Sequence, residues 1–332
     1  MRDRSVAKKT ALEIAAAILA IIFFLSAGLL GVDLWEKSQN KKQPSSSAYG
    51  DTILKHNGKE YVLKENVETL LIMGLDKFEG DIKESSYNND RQADFIMLLV
   101  IDNDNSCYYG LHINRDTMAE VNILGVNGQK VDSVTKQIAL AHTYGNGKKV
   151  SGRNVADSVS KLLLDVNVNH YVSVTMDAVP VMNDLVGGVE VQVLDDFSGI
   201  DNTLVKGEKV TLMGQHALNY VRTRYGLEDS SNESRMKRQR QYLNALFEKT
   251  KEKSENDAEF IAQTTLKMSD YLISNRSATA LQTVFNKITD YEYKGIKDIE
   301  GEFKKGEEFM EFYPDKTSVK QNAIDLFYGE KK

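Results

Sequence analysis

Asp76, Asp94, Arg115 and Asp116 could do chemistry together if the fold brings them to one place. Two carboxylates with no histidine or cysteine near them suit a hard, oxygen-preferring cation. Mg²⁺ is typically held by one or two carboxylates plus waters and substrate phosphate oxygens. Further on, the segment 222–240 carries Arg222, Arg224, Arg235, Lys237, Arg238 and Arg240 against Glu228, Asp229 and Glu233. A guanidinium suits phosphate because its planar fork makes bidentate, charge-assisted bonds. Each piece also has a plain structural reading: Asp76 as a turn cap, Asp94 as an ordinary strand-end residue, the basic run as a solvated helix face. Arg91 reads equally as a phosphate contact or a loop-surface residue.

The elements that would position these residues are visible in the pattern. Three strands are expected over Glu68–Met73, Asp94–Ile101 and Cys107–Ile113. The first is ended by Gly74 and Asp76, the third by Arg115 and Asp116. Asp102-Asn103-Asp104-Asn105 is a tight-turn composition, which makes the second and third strands an antiparallel pair. If the first strand is also antiparallel to the second, Asp76, Asp94, Arg115 and Asp116 meet at one edge of a sheet. From about Ser234 a helix is expected with Met236, Leu243 and Phe247 as its buried stripe. Arg235 and Gln239, spaced i, i+4, flank that stripe, and Arg238 lies one step further round.

Between these pieces, a helix opened by Ser151, a strand His170–Met176, a helix begun by Asp177, a strand VEVQV after Gly187-Gly188 and a helix over Gly214–Val221 alternate as in a layered α/β domain. Beyond Ser254 charged helical stretches follow. The run GIKDIEGEFKKGEEFMEFYPD suggests a hairpin. The expected division is a tail over 1–9, a membrane anchor over 10–32, a stalk over 33–64, the α/β domain over 65–253 and a C-terminal extension over 254–332.

Composition narrows the classes. The chain has 332 residues and a net charge of −6, which disfavours a general polyanion binder; no nucleic-acid partner is expected. One cysteine, Cys107, excludes an intramolecular disulfide, and five scattered histidines make a histidine-rich metal site improbable. Arg2, Arg4, Lys8 and Lys9 precede an uncharged stretch from Ile14 to Val32. Its nineteen residues, at about 1.5 Å each, span roughly 28 Å, close to the hydrocarbon thickness of a bilayer. The basic flank predicts a cytoplasmic N-terminus and the remainder outside the membrane. A cleaved signal peptide is the competing reading.

At these residues the chain resembles the LytR-CpsA-Psr family of bacterial cell-wall ligases. The matching pieces, in order, are LLIMGLD (70–76), QADFIMLLVID (92–102), INRDTM (113–118), NHYVSVTMDAVPVMNDLVGGVEVQV (169–193), GQHALNYVRTR (214–224) and RMKRQRQ (235–241). The resemblance implies an α/β/α domain with a central mixed sheet and an apolar pocket for a polyprenyl chain. It implies Mg²⁺ at Asp76 and Asp94, and pyrophosphate bound by Arg115, Arg224 and Arg235 with Gln239. Arg222 and Arg238 match further motif arginines. Where the family places Arg-Ser directly before the second Asp, this chain has Gln92-Ala93, with Arg91 one place earlier. The family's Lys-Ile-Asn is replaced by Gln137-Ile138-Ala139.

The function so implied is transfer of a glycopolymer phosphate (teichoic acid or capsule) from a polyprenyl-pyrophosphate carrier onto a peptidoglycan hydroxyl. Asp116 is a candidate general base and equally a residue that orients Arg115. Two other functions share these residues: a membrane-tethered binder or regulator of envelope assembly without catalysis, and a lipid pyrophosphatase with water as acceptor.

Overall fold

The computed structural model describes residues 53–76, 91–145, 148–230, 232–256, 260, 263–264, 267–307 and 309–331. In chain order the elements begin with β1 (Ile53–His56), β2 (Lys59–Leu63), β3 (Val67–Leu75), β4 (Ala93–Asp102), β5 (Cys107–His112), β6 (Met118–Leu124) and β7 (Lys130–Gln137). Then come α1 (Lys149–Leu162), β8 (Tyr171–Thr175), α2 (Ala178–Leu185), β9 (Val189–Gln192), β10 (Lys209–Leu212), α3 (Gln215–Arg222) and α4 (Asn232–Asn256). The last are β11 (Leu272–Ser274), α5 (Ala278–Asp290), β12 (Glu292–Asp298), β13 (Gly301–Lys305), β14 (Met310–Pro314), α6 (Lys316–Phe327) and β15 (Tyr328–Glu330). The expected anchor over 10–32 and the stalk up to residue 52 lie outside the described residues. Among the described residues no helix is long and apolar enough to cross a membrane.

The chain divides into two compact units. The first takes its described residues from Lys41–Val174, Ile273–Arg276 and Asp290–Lys332. Its centre is a six-stranded sheet in the order β11-β8-β3-β4-β5-β12. The sheet is mixed: β3 and β5 both run antiparallel to β4, while β12 runs parallel to β5. Leu70, Leu71, Ile72 and Met73 are all buried. A strand buried on both faces reads as a continuous apolar run rather than an alternating one. One face of the sheet packs Leu71, Met73 and Leu98 with Val155 and Val159 of α1 and Leu326 of α6. Each such side chain fully removed from water stabilises by roughly 1.5–3 kcal/mol.

The division at residue 253 is corrected by this sheet. Both of its outer strands, β11 and β12, come from beyond Ser254, α6 joins its core cluster, and β15 pairs with β2. The C-terminal stretch completes the domain because an edge left by β5 would otherwise expose a row of unpaired backbone groups. The expected hairpin is present as β13–β14.

Close packing in this unit makes a stability prediction. Gly152, inside α1, lies under the ring of buried Tyr171: a Cβ there would stand 2.4 Å from Cε2. Tyr171 is fixed in turn, its hydroxyl donating to the Lys149 carbonyl at 2.5 Å. Gly152→Ala should therefore destabilise by about 1–3 kcal/mol through overpacking. A urea unfolding midpoint equal to that of the parent would show the contact to be slack.

The second unit comprises Thr175–Leu272 and Ser277–Thr289. It holds α2, the antiparallel pair β9–β10, α3, α4 and most of α5. Gly214, at φ +47, lets the chain turn into α3, and its N–H donates to Asp184 Oδ1 at 2.7 Å. The buried residues described in α4 are not those of the expected stripe, of which only Leu243 has a described side chain. Ser234, Arg238, Tyr242, Leu246 and Thr250 are buried and Leu243 is half-buried; the side chains of Met236 and Phe247 lie outside the described residues. Three of the five stripe residues are polar, and hydrogen bonds rather than apolar contacts settle them inside.

Candidate functional site

The edge of the central sheet assembles around Asp94. Gly74 pairs with Phe95 and Leu75 with Ala93, so Asp94 is the extra residue of a β-bulge. A bulge interrupts the ladder and re-aims the side chain at that place. Asp76 follows Leu75 directly. The two carboxylates therefore stand at the same end of two hydrogen-bonded strands, which run about 4.8 Å apart. Arg115 comes in from the end of β5, where Ile113 N–H still bonds to the Ile96 carbonyl at 3.0 Å.

The turn bearing Arg115 and Asp116 is fixed by its backbone. Asp116 N–H donates to Asn114 Oδ1 (2.9 Å) and Thr117 N–H to the Asn114 carbonyl (3.0 Å). Ala139 N–H donates to the Arg115 carbonyl (3.1 Å) and Phe312 N–H to that of Asp116 (2.9 Å). So held, the Arg115 guanidinium is ion-paired with Asp94 and donates to Gln92 Oε1. Asp116 Oδ1 lies 3.5 Å from Arg115 Nε. The expected convergence of Asp94, Arg115 and Asp116 is met, and Asp76 is placed on the neighbouring strand end.

Several buried polar atoms around this cluster have no partner among the described residues: Arg91 Nε, Gln92 Nε2, Thr117 Oγ1 and His142 Nε2. Unpaired buried donors are costly, and Arg91 Nε, Gln92 Nε2 and the Thr117 hydroxyl are of that kind, which suits a ligand with acceptors. His142 donates through Nδ1–H, so its Nε2 is an acceptor. His142 Nδ1 is 2.9 Å from the Arg91 carbonyl, and burial pushes the ring's pKa down to about 4, so it is neutral near pH 7. Gln92, Gln137, Thr117 and His142 were not foreseen among the site residues. Their partners are remote in sequence, and no spacing rule signals them.

The donor set fits Mg²⁺. Asp76 and Asp94 offer oxygens only, and among the described residues no group of three or more His, Cys, Asp or Glu could hold a metal unaided. A pair of carboxylates leaves coordination positions for water and phosphate, which is how this ion is usually bound.

Arg222, Arg224, Arg235, Arg238 and Gln239 belong to the second unit. Arg222 is exposed; Arg224, Arg235 and Gln239 are half-buried. Arg224 Nε donates to the Ser230 carbonyl at 3.2 Å, and its guanidinium lies over the Tyr225 ring at 5.1 Å. Gln239 Nε2 donates to the Val221 carbonyl at 3.1 Å. Arg235 and Gln239 lie beside the buried Ser234 and Arg238, whereas the stripe they are expected to flank includes Met236 and Phe247, whose side chains lie outside the described residues. Arg238 does not fit a ligand-facing reading. It is fully buried, ion-paired with Asp195, and donates to the carbonyls of Tyr220 (2.9 Å) and Thr223 and to Ser234 Oγ (3.2 Å). With these partners its guanidinium closes the junction of α3 and α4.

Comparison with known proteins places the chain in a family. The profile of the LytR_cpsA_psr family matches residues 30–325. The chain belongs to the LytR-CpsA-Psr family. One LytR-CpsA-Psr relative, from Bacillus subtilis (strain 168), is named polyisoprenyl-teichoic acid–peptidoglycan teichoic acid transferase TagU. It is 25% identical over 250 residues, which cover 75% of this chain and 73% of the relative. A protein of the same name from Enterococcus faecalis (strain ATCC 700802 / V583) is 27% identical over 245 residues, 71% of each chain. Among solved structures, B. subtilis TagV aligns with a TM-score of 0.56 at 23% identity, over 80% of this chain and 97% of that one. TagT bound to LI-WTA aligns with a TM-score of 0.56 at 21% identity, over 79% and 90%. The likeness to these structures is one of fold: a mixed α/β domain with a central mixed sheet.

Proposed function

We propose that this chain transfers a glycopolymer phosphate from a polyprenyl-pyrophosphate carrier onto a hydroxyl of peptidoglycan, tethered by a single N-terminal membrane span over residues 10–32. The observation that carries this reading is the Arg115–Asp94 ion pair beside Asp76, at one sheet edge of a LytR-CpsA-Psr chain. A donor already activated as a phosphoanhydride needs no ATP, which suits chemistry outside the cell.

In the proposed reaction the acceptor hydroxyl oxygen attacks the phosphorus that bears the glycan. The new P–O bond forms as the P–O bond of the anhydride breaks, polyprenyl monophosphate leaves, and the hydroxyl proton passes to a base or to solvent. Such transfers depend on positioning and charge neutralisation more than on covalent help from the protein. Arg115 would bind diphosphate oxygens and stabilise the charge that develops on the leaving group. Asp76 and Asp94 would hold Mg²⁺, which when bound polarises phosphoryl oxygens. The contacts of Asp116 favour orientation of Arg115 over proton abstraction. Arg222, Arg224, Arg235 and Gln239 are proposed to bind phosphate oxygens on their own unit. Arg238 is left out of the anion-binding set because its donors are already used.

The test is a reconstitution. Purified chain with Mg²⁺, a synthetic polyprenyl-pyrophosphate glycan and peptidoglycan should yield polymer-bearing peptidoglycan and polyprenyl monophosphate. Free glycan phosphate instead would mean that water is the acceptor, and no turnover would leave a binder.

A further inference from the structure

Two carboxamides grip the Arg115–Asp116 pair from opposite ends. Gln92 is fully buried, and its Oε1 accepts from the Arg115 guanidinium. Gln137, the last residue of β7, donates from Nε2 to Asp116 Oδ1 at 3.1 Å and to the Met310 carbonyl at 2.8 Å. Chemistry fixes both amide orientations, since a guanidinium only donates while a carboxylate and a carbonyl only accept. With the backbone of the turn already pinned, these two side chains act on the guanidinium and the carboxylate.

Neutral amides suit that position. Where the family places arginine, this chain carries a neutral amide at 92; a carboxylate there would compete with Asp94 for Arg115. The Gln92 oxygen holds the guanidinium without adding charge, so Asp94 stays its anionic partner. In the same way Gln137 tethers Asp116 to β14 without neutralising it. Recognition of phosphate by arginine depends on the plane and direction of the fork. A guanidinium held on two sides keeps both.

We propose that Gln92 and Gln137 are positioning residues, a carboxamide clamp that sets where Arg115 meets a bound diphosphate. This rests on the phosphotransferase function proposed above. Among the described residues, the charged group bonded to Gln137 is Asp116, with Arg115 beyond it. From β14 Gln137 meets the Met310 carbonyl, and its partner on β6 is the uncharged Met118. Lys136 alternates to the opposite face of the strand.

The experiment uses the full chain in detergent with variants Gln92→Met, Gln137→Met and Gln137→Glu. Binding of inorganic pyrophosphate in the presence of Mg²⁺ is read by calorimetry, and transfer is read as kcat and KM across the acidic to neutral range. Gln92→Met and Gln137→Met should each weaken pyrophosphate binding and lower kcat about tenfold, the scale of one hydrogen bond to a charged group. Gln137→Glu should be as impaired as Gln137→Met at neutral pH and recover as pH falls. There the protonated carboxyl can donate to Asp116 as the amide does, whereas Gln137→Met gains no such limb. A loss through misfolding alone would impair both position-137 variants alike at every pH. Parental pyrophosphate affinity in both methionine variants, or one pH profile for the two changes at 137, would overturn the clamp. If the parent chain transfers no glycopolymer yet the variants still lose pyrophosphate affinity, the clamp stands and the transferase proposal falls.

Discussion

Alanine in place of Arg115 is expected to lower the rate of glycopolymer transfer by about 10²–10³-fold, the usual cost of removing one donor to a transition-state charge. The same change leaves Asp94, with a side chain only 11% exposed, without its counter-ion. Breaking a fully buried pair costs about 3–5 kcal/mol, and this pair, with Arg115 at 18%, should cost less. Rate and stability must therefore be separated. Adding Asp94→Asn removes the stranded charge and should return much of the lost unfolding free energy without returning activity. Arg115→Lys keeps the charge but not the fork, and should remain at least about tenfold slower than the parent. The measurements are turnover of a polyprenyl-pyrophosphate glycan and urea midpoints for all three variants. Near-parental turnover in a folded Arg115→Ala chain would remove Arg115 from the chemistry.

The sheet edge was readable because it follows from local signals. The apolar runs of β3, β4 and β5 announce buried strands, and Asp102 forms the expected turn: it accepts from Asn105 N–H (3.1 Å) and Nδ2 (2.9 Å) and from Lys64 (3.0 Å). Two antiparallel steps then bring the strand ends together. The outer strands were not readable. β12 is Glu-Tyr-Lys-Gly-Ile-Lys-Asp, with a burial pattern of neither period, and it finds β5 by a parallel pairing across nearly two hundred residues. The clamp was hidden for a related reason. Gln92 and Gln137 lie 23 and 21 residues from their partners in the turn, and Gln137 lies 173 from Met310. A glutamine settled by hydrogen bonds carries no periodicity. On α4 an apolar count passes over Ser234, Arg238 and Thr250, which are buried and hydrogen-bonded.

Arg238 accordingly carries the second large expectation, and it is one of stability. The side chain has no exposed surface, and its guanidinium is shared among Asp195, Ser234 and the carbonyls of Tyr220 and Thr223, with Phe197 5.5 Å beneath. Arg238→Ala removes the cation from a buried pair and leaves Asp195, 13% exposed on its side chain, without its counter-ion and with the Ser234 hydroxyl (2.6 Å) still donating to it. The expected cost is about 3–5 kcal/mol, a large share of the roughly 5–15 kcal/mol that holds a typical domain folded. Arg238→Met fills the space and should recover the packing part but not the charge. Combining it with Asp195→Asn, which removes the orphan, should recover more. By contrast Arg222→Ala, on an exposed side chain, should shift the urea midpoint little, as surface changes usually do. If Arg238→Ala were as stable as the parent but had lost pyrophosphate binding, the guanidinium would have to face a ligand after all, and its place inside the junction of α3 and α4 would be wrong.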